Sequence, residues 1–367
     1  MEQLGFEGMP RRLYACTPTR LSTWLDCPRR YRMSYLDRPQ PRKGLPWAHN
    51  SLGASVHNAL AGWWRLPRRE RTVAAAGGLL DRGWLTDGYA DDAQSAQHRA
   101  RASQMVRDYV AGLDPADEPA GVERTVATRT DLIAVSGRID RLDLRRTGSP
   151  DDAGEFADDA SELVVVDYKT GRYRLTVDDT RTSMPLALYA MAAGRVLRRP
   201  CRRVELHHLP TGRILAWQHT QESLERQLGR AEDIAAECAA ADEQYRGGLP
   251  AARYDEAFPP SPGVGCGWCD YRSHCPEGMA AAEPRRPWDG LAPVGPVPAG
   301  PGSGPAKPVP AGPAPRPAKP VPVVPAPRPG SAKPEPAAPV PGEPASAEPE
   351  PAPAPVPAEP GPGGSTL

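Results

Sequence analysis

Lysine is almost absent from the front of this chain: residues 1–283 hold 36 arginines but only two lysines, Lys43 and Lys169. A sequence that uses arginine so consistently keeps a lysine where a compact ammonium does what a planar guanidinium cannot. Charge of one sign is also missing, with 45 Lys+Arg against 45 Asp+Glu in 367 residues. That balance excludes a uniformly basic nucleic-acid coat and an acidic solvating protein. No apolar run approaches the roughly 20 residues of a membrane helix, and the opening MEQLGFEGMP lacks a basic-then-apolar leader. The expectation is a cytoplasmic protein with no membrane partner. No Gly-x-x-x-x-Gly-Lys-[Ser/Thr] occurs, since Lys169-Thr170 follows Asp167-Tyr168 and not a glycine loop. ATP-driven unwinding therefore has no basis in the sequence.

What is present is unevenly spread. Of 47 prolines, 29 lie between Pro284 and Leu367, where AKPVP occurs at Ala306 and again at Ala318. Such a stretch cannot supply a packed core. We expect a folded domain over 1–283 and a disordered Pro/Ala/Gly-rich tail over 284–367, serving as a spacer or as a docking arm for a partner protein. The first 45 residues carry nine Lys+Arg against four Asp+Glu, a local excess that suits phosphate. Apolar spacing predicts helices over Thr19–Leu36 with a break at Cys27-Pro28, Ser51–Leu66, Ala93–Leu113, Thr180–Leu197 and Gln221–Gln244. Strands are predicted over Val122–Thr128, Leu132–Leu144, Leu163–Tyr168, Val204–Leu209 and Ile214–His219, with the acidic segment Thr147–Glu162 as a hairpin loop. The order is that of an α/β fold with a small mixed or largely antiparallel sheet flanked by helices.

Three constellations carry chemistry. Val164-Val165-Val166 leads into Asp167-Tyr168-Lys169-Thr170-Gly171, and residues i and i+2 of a strand share a face, so Asp167 and Lys169 project together. Asp140, in Gly137-Arg138-Ile139-Asp140-Arg141, sits on the adjacent strand. Two neighbouring carboxylates suit Mg2+ or Mn2+, and an ammonium beside them can orient water or offset charge on a phosphate. Cys266-x2-Cys269-x5-Cys275 supplies three closely spaced thiolates. They form a metal or iron–sulfur ligand set whose fourth member comes from elsewhere; zinc with His274 or a distant cysteine satisfies the spacing. Gly53-x-x-x-His57 lies on a predicted helix, where a lone histidine is ordinarily structural. Glu123, on the preceding strand, is a weaker candidate for an outer role at the metal.

Together, Cys27-Pro-Arg-Arg-Tyr, Gly53-x-x-x-His57, Gly137-Arg-Ile-Asp140-Arg, Val166-Asp167-Tyr-Lys169-Thr-Gly and the three C-terminal cysteines resemble, in order and spacing, the RecB-like exonucleases of the PD-(D/E)XK superfamily. More narrowly, they are similar to its iron–sulfur branch, which includes the AddB nuclease domain and the CRISPR-associated single-strand exonucleases. The resemblance implies a restriction-endonuclease-like core and a Mg2+- or Mn2+-dependent deoxyribonuclease. The substrate it implies is single-stranded DNA ends in repair or recombination, with a helicase or repair partner. It implies Asp140, Asp167 and His57 as metal-site residues, Lys169 as the catalytic lysine, and a [4Fe-4S] cluster on Cys27, Cys266, Cys269 and Cys275. Tyr189 would engage DNA as part of the family's Gln-x-x-x-Tyr, although Pro185 stands in the glutamine's place. The rival expectation is a non-catalytic iron–sulfur DNA-binding or scaffold protein that retains the nuclease fold.

Overall fold

A computed structural model describes residues 13–146 and 161–293. In chain order it comprises β1 (Tyr14–Cys16), α1 (Pro18–Asp26), α2 (Pro28–Tyr35), α3 (Ala48–Trp64), α4 (Val73–Arg82), α5 (Asp92–Ala111), β2 (Gly121–Arg129), β3 (Ile133–Arg146) and β4 (Ser161–Lys169). There follow α6 (Val177–Arg181), α7 (Met184–Leu197), β5 (Arg203–His208), β6 (Arg213–Gln218), α8 (Gln221–Arg246), α9 (Tyr254–Ala257) and α10 (Pro276–Ala281). Helices begin where the sequence offers a cap: Thr17, Thr72, Asp91, Ser183 and Thr220 each accept a hydrogen bond from a first-turn backbone N–H. The expected break falls at Cys27, whose extended backbone and following proline end α1 and start α2. One expected helix, Thr180–Leu197, is two, because Ser183 caps a fresh start and Pro185 occupies its first turn. Most of the expected loop over Thr147–Glu162 lies outside the described residues; Ser161 and Glu162 belong to β4.

The sheet is mixed, and β3 is its hub. Ile133–Val135 pair in parallel with β1, Ala134–Leu142 pair antiparallel with β2, and Arg141–Arg146 pair antiparallel with β4. Ala134 and Val135 have both β1 and β2 beside them, while Arg141 and Leu142 have both β2 and β4. Thus β1 and β4 share one edge of β3, and Ser136–Asp140 between them have no strand partner there. Past Val166, β4 leaves β3 and continues only along β5, in parallel, with Asp167 opposite Leu206 and Lys169 opposite His208. The strands therefore splay where the sequence places its carboxylates and lysine.

Both faces of β4 are covered, which is why its apolar run is continuous. Val164, Val166 and Tyr168 pack with α3, α4 and α5, whereas Leu163 and Val165 pack with α7. A further core joins α1 and α8 around Leu21, Tyr31, Ile234 and Phe258. Residues 284–293 also lie on this domain. Arg285 N donates to Gly267 O at 3.2 Å, Ala48 N to Pro287 O at 3.0 Å, and Arg101 to Pro293 O at 2.8 Å. Proline-rich chain lacks N–H donors but keeps its carbonyls, so this strap accepts hydrogen bonds ten residues beyond the boundary drawn from composition. No helix among the described residues is long and apolar enough to cross a membrane.

Candidate active site

Asp140 lies in the stretch of β3 that has lost its neighbour. Its Oδ2 accepts the Tyr168 backbone N–H at 2.8 Å, replacing a ladder bond that the splay removes. This pins the carboxylate with Oδ1 3.3 Å from Nδ1 of His57, on α3. His57 Nε2 stands 3.1 Å from the Tyr168 carbonyl oxygen. A carbonyl only accepts, so Nε2 carries the proton, and a neutral His57 presents the lone pair of Nδ1 to a carboxylate. Two acceptors at this distance need a proton or a cation between them.

Glu123 completes the group. It sits across from Asp140 on β2, between the registered pairs Val122–Arg141 and Arg124–Ile139, and takes a left-handed φ of 50°. One ligand atom each from His57, Glu123 and Asp140 lies within 4.8 Å of the others, an oxygen-rich set suited to Mg2+ or Mn2+. Burial and the charge of Asp140 raise the Glu123 pKa. Burial opposes the charged form of His57, but the hydrogen bond and charge of Asp140, with Asp167 and Glu123, prevail and raise its pKa. The charge of Asp140 contributes to both shifts, and Glu123 is also ion-paired with Arg138 at 2.8 Å.

Asp167 and Lys169 share a face as expected. Lys169 Nζ is 2.5 Å from Asp167 Oδ2, an ion pair at the strand end. Burial raises the Asp167 pKa against the pull of Lys169, and Asp140 raises it further. The His57–Glu123–Asp140 group, with the Asp167 carboxylate near Asp140, fits a divalent cation. Tyr189 lies over Gly137, where a Cβ would stand 2.3 Å from its ring. Its hydroxyl pKa is raised by burial and by Asp167 and Asp140, which places the ring beside the site as well as in the core. His57, Asp140, Asp167 and Lys169 are thus brought together, and Glu123 takes a more direct place than its sequence signal suggested.

The four cysteines implied by the resemblance also converge. Cys27, Cys266, Cys269 and Cys275 line one cavity of about 510 Å3 between α2, α10 and the Pro260–Tyr271 segment. His274 is not among its lining residues; its Nε2 donates to the Arg42 carbonyl at 2.9 Å, whereas Cys27 shares the cavity with the three C-terminal cysteines. Cys275 Sγ accepts from Arg29 at 3.2 Å and from Gly278 N at 3.4 Å, and Cys27 Sγ from Ser261 N at 3.5 Å. Cys266 Sγ in turn donates to the Ser261 carbonyl at 4.0 Å, and Cys275 Sγ to Glu277 Oε2 at 3.6 Å. Cys16, Cys201 and Cys238 are buried in apolar cores, where desolvation pushes their thiols up to about 11, 12 and 12.

Comparison with known proteins agrees with this fold. The profile of the PD-(D/E)XK nuclease superfamily matches residues 15–276, and the chain belongs to that superfamily. Among solved structures, a protein from Eubacterium rectale whose name assigns it provisionally to the exonucleases overlaps at 10% identity, covering 68% of this chain and 89% of its own, with a TM-score of 0.36. A second, named SSO0001, overlaps at 12% identity, covering 73% of this chain and 89% of its own, with a TM-score of 0.28. Overlaps this loose add nothing to the functional argument. No curated protein matches the chain.

Proposed function

We propose that this nuclease is a Mg2+- or Mn2+-dependent exonuclease acting on single-stranded DNA ends in repair or recombination, with a [4Fe-4S] cluster on Cys27, Cys266, Cys269 and Cys275. The observation that carries the metal-dependent part is the face-to-face meeting of His57 Nδ1 and Asp140 Oδ1 at 3.3 Å, with Glu123 in the same group and the Asp167 charge acting on His57. The cluster is supported by the shared cavity and its N–H···S donors. The single-strand preference and a helicase or repair partner rest on the family resemblance.

In this reading Asp140, Asp167, Glu123 and His57 Nδ1 would hold the cation, while His57 Nε2–H stays on the Tyr168 carbonyl and fixes the ring. When bound, the metal polarises a phosphoryl oxygen and lowers the pKa of water. Lys169 orients the attacking water, whose oxygen bonds to phosphorus as the bond to the leaving nucleoside oxygen breaks. An arginine there would place a planar, permanently protonated group in the water's space. The cluster ties α2 to the C-terminal segment, closing a loop of more than two hundred residues.

Anaerobic purification, iron and sulfide analysis, and cleavage of end-labelled single and double strands with and without Mn2+ test both parts. Metal-dependent cleavage should fall on the order of 100-fold in Lys169→Arg and in Asp167→Ala, with the cluster retained. Cys27→Ala should be colourless and unstable. Equal cleavage by wild type and both variants refutes the active site, and stoichiometric zinc without iron refutes the cluster.

A further inference from the structure

A second cavity, of about 550 Å3, shares Lys169 with the active site but is lined by none of its carboxylates. No aspartate or glutamate lines it; its permanent charges are Lys169, Arg101 and Arg172. Neither Arg101 nor Arg172 is ion-paired among the described residues, and Arg101 instead donates to the Pro293 carbonyl at 2.8 Å. The floor is the turn that follows β4. His208, opposite Lys169 in the β4–β5 register, holds this turn through Nε2 to the Gly171 carbonyl at 2.8 Å, and its Nδ1 lies 2.7 Å from the Thr211 hydroxyl. Arg172 is thereby presented at the cavity next to the catalytic lysine.

One wall is the C-terminal strap. Gly290 abuts the His49 ring so closely that a Cβ would stand 2.4 Å from Nδ1, and Leu291 is 9% exposed. Leu52, Met105 and Leu291 give the lining apolar surface among its cations. That pairing of unneutralised arginine with apolar surface suits a nucleotide, phosphate on one and base on the other. The volume lies in the range of about 300–1,000 Å3 typical of small-ligand pockets. It is too small for a duplex, whose major groove alone is about 12 Å wide.

We propose that this cavity is the subsite for an unpaired nucleotide of single-stranded DNA next to the scissile phosphodiester, with Arg172 and Arg101 on its phosphate and the Gly290–Leu291 strap against its base. The proposal rests on the nuclease reading and assigns residues to the single-strand preference proposed for it.

The test is equilibrium binding of a fluorescein-labelled oligothymidylate, and of a duplex of equal length, to the full chain without divalent metal across a salt series. Wild type is compared with Arg172→Glu, Arg172→Lys and Arg230→Glu. The last makes the same charge change on α8, which contributes nothing to the cavity. Arg172→Glu should weaken single-strand binding at least about tenfold, and loss of one phosphate contact should lower the log–log salt slope by about 0.7. Arg172→Lys should recover most of the affinity, and Arg230→Glu should match wild type. Arg172→Glu binding no more weakly than Arg230→Glu overturns the subsite, and duplex bound as tightly as single strand overturns its strandedness. Wild type that cleaves DNA while Arg172→Glu binds normally refutes the subsite alone. Wild type that binds single strands through Arg172 but cleaves nothing with Mn2+ refutes the nuclease reading alone.

Discussion

Glu123 shows how a backbone conformation can mark a candidate site residue. A left-handed φ costs an ordinary L-residue about 1–2 kcal/mol, and strain of this kind gathers at sites whose surroundings hold it in place. Here it directs a strand carboxylate at Asp140 and His57. Glu123→Gly relieves that strain while adding a glycine entropy cost of about 0.5–1 kcal/mol. We expect a melting temperature close to wild type with a rise of at least about tenfold in the Mn2+ needed for half-maximal cleavage. A metal titration of activity, paired with thermal melts, checks both; unchanged metal dependence removes Glu123 from the site. Asp167 and Lys169 were legible as a pair because strand alternation fixes which residues share a face and lysine is so rare in this chain, with Asp140 expected on the adjacent strand. Glu123 was not, since its place depends on β2–β3 register and one unusual φ, neither of which leaves a periodic signal.

At the scale of elements, the carboxylate-bearing strands are held by charges buried behind them. Glu205 on β5, 1% exposed, accepts from Arg145 and Arg203 at 2.7 Å each and from His207 at 2.9 Å. His207 Nδ1 lies 2.7 Å from the Tyr109 hydroxyl, and buried Arg141 donates to the hydroxyls of Tyr109 and Tyr168 at 3.0 and 3.2 Å. Burial alone would raise the Glu205 pKa, but hydrogen bonds from His207, Arg145 and Arg203 hold it far below the usual carboxylate range. A folded pKa below the unfolded one adds stability above the unfolded value, near 4.5, and that stability is lost as pH falls toward the folded value. Glu205→Gln should therefore cost about 3 kcal/mol at neutral pH. The gap to wild type should stay constant down to about pH 5 and narrow below it, as denaturant melts across pH would show. A gap that widens in acid contradicts the argument. None of this network was visible from spacing, because it joins three strands and α5 through side chains. β1 escaped for a different reason: three residues are too few to show a period.

Over the whole molecule, composition and packing disagree about where the domain ends. Proline density changes at Pro284, so composition alone treats cuts after Glu283 and after Pro293 as equivalent. The contacts do not. The ten residues between them give carbonyls to Ala48 N and Arg101, pair Arg285 N with Gly267 O beside Cys266, and bury Leu291. Burying a leucine side chain is worth about 1.5–3 kcal/mol, and losing the strap opens both the turn that carries Cys266 and one wall of the Lys169 cavity. A chain ending at Pro293 should melt, retain the proposed cluster and bind single-stranded DNA like the full-length protein. A chain ending at Glu283 should melt lower, lose iron more readily to chelators and bind single strands more weakly. Melting curves, iron retention and oligothymidylate titrations on both truncations make the comparison. If the two behave alike, the strap is an appendage and composition alone places the boundary correctly. If they differ as expected, the folded protein includes the first ten residues of its own proline-rich segment, used as a wall of the cleft.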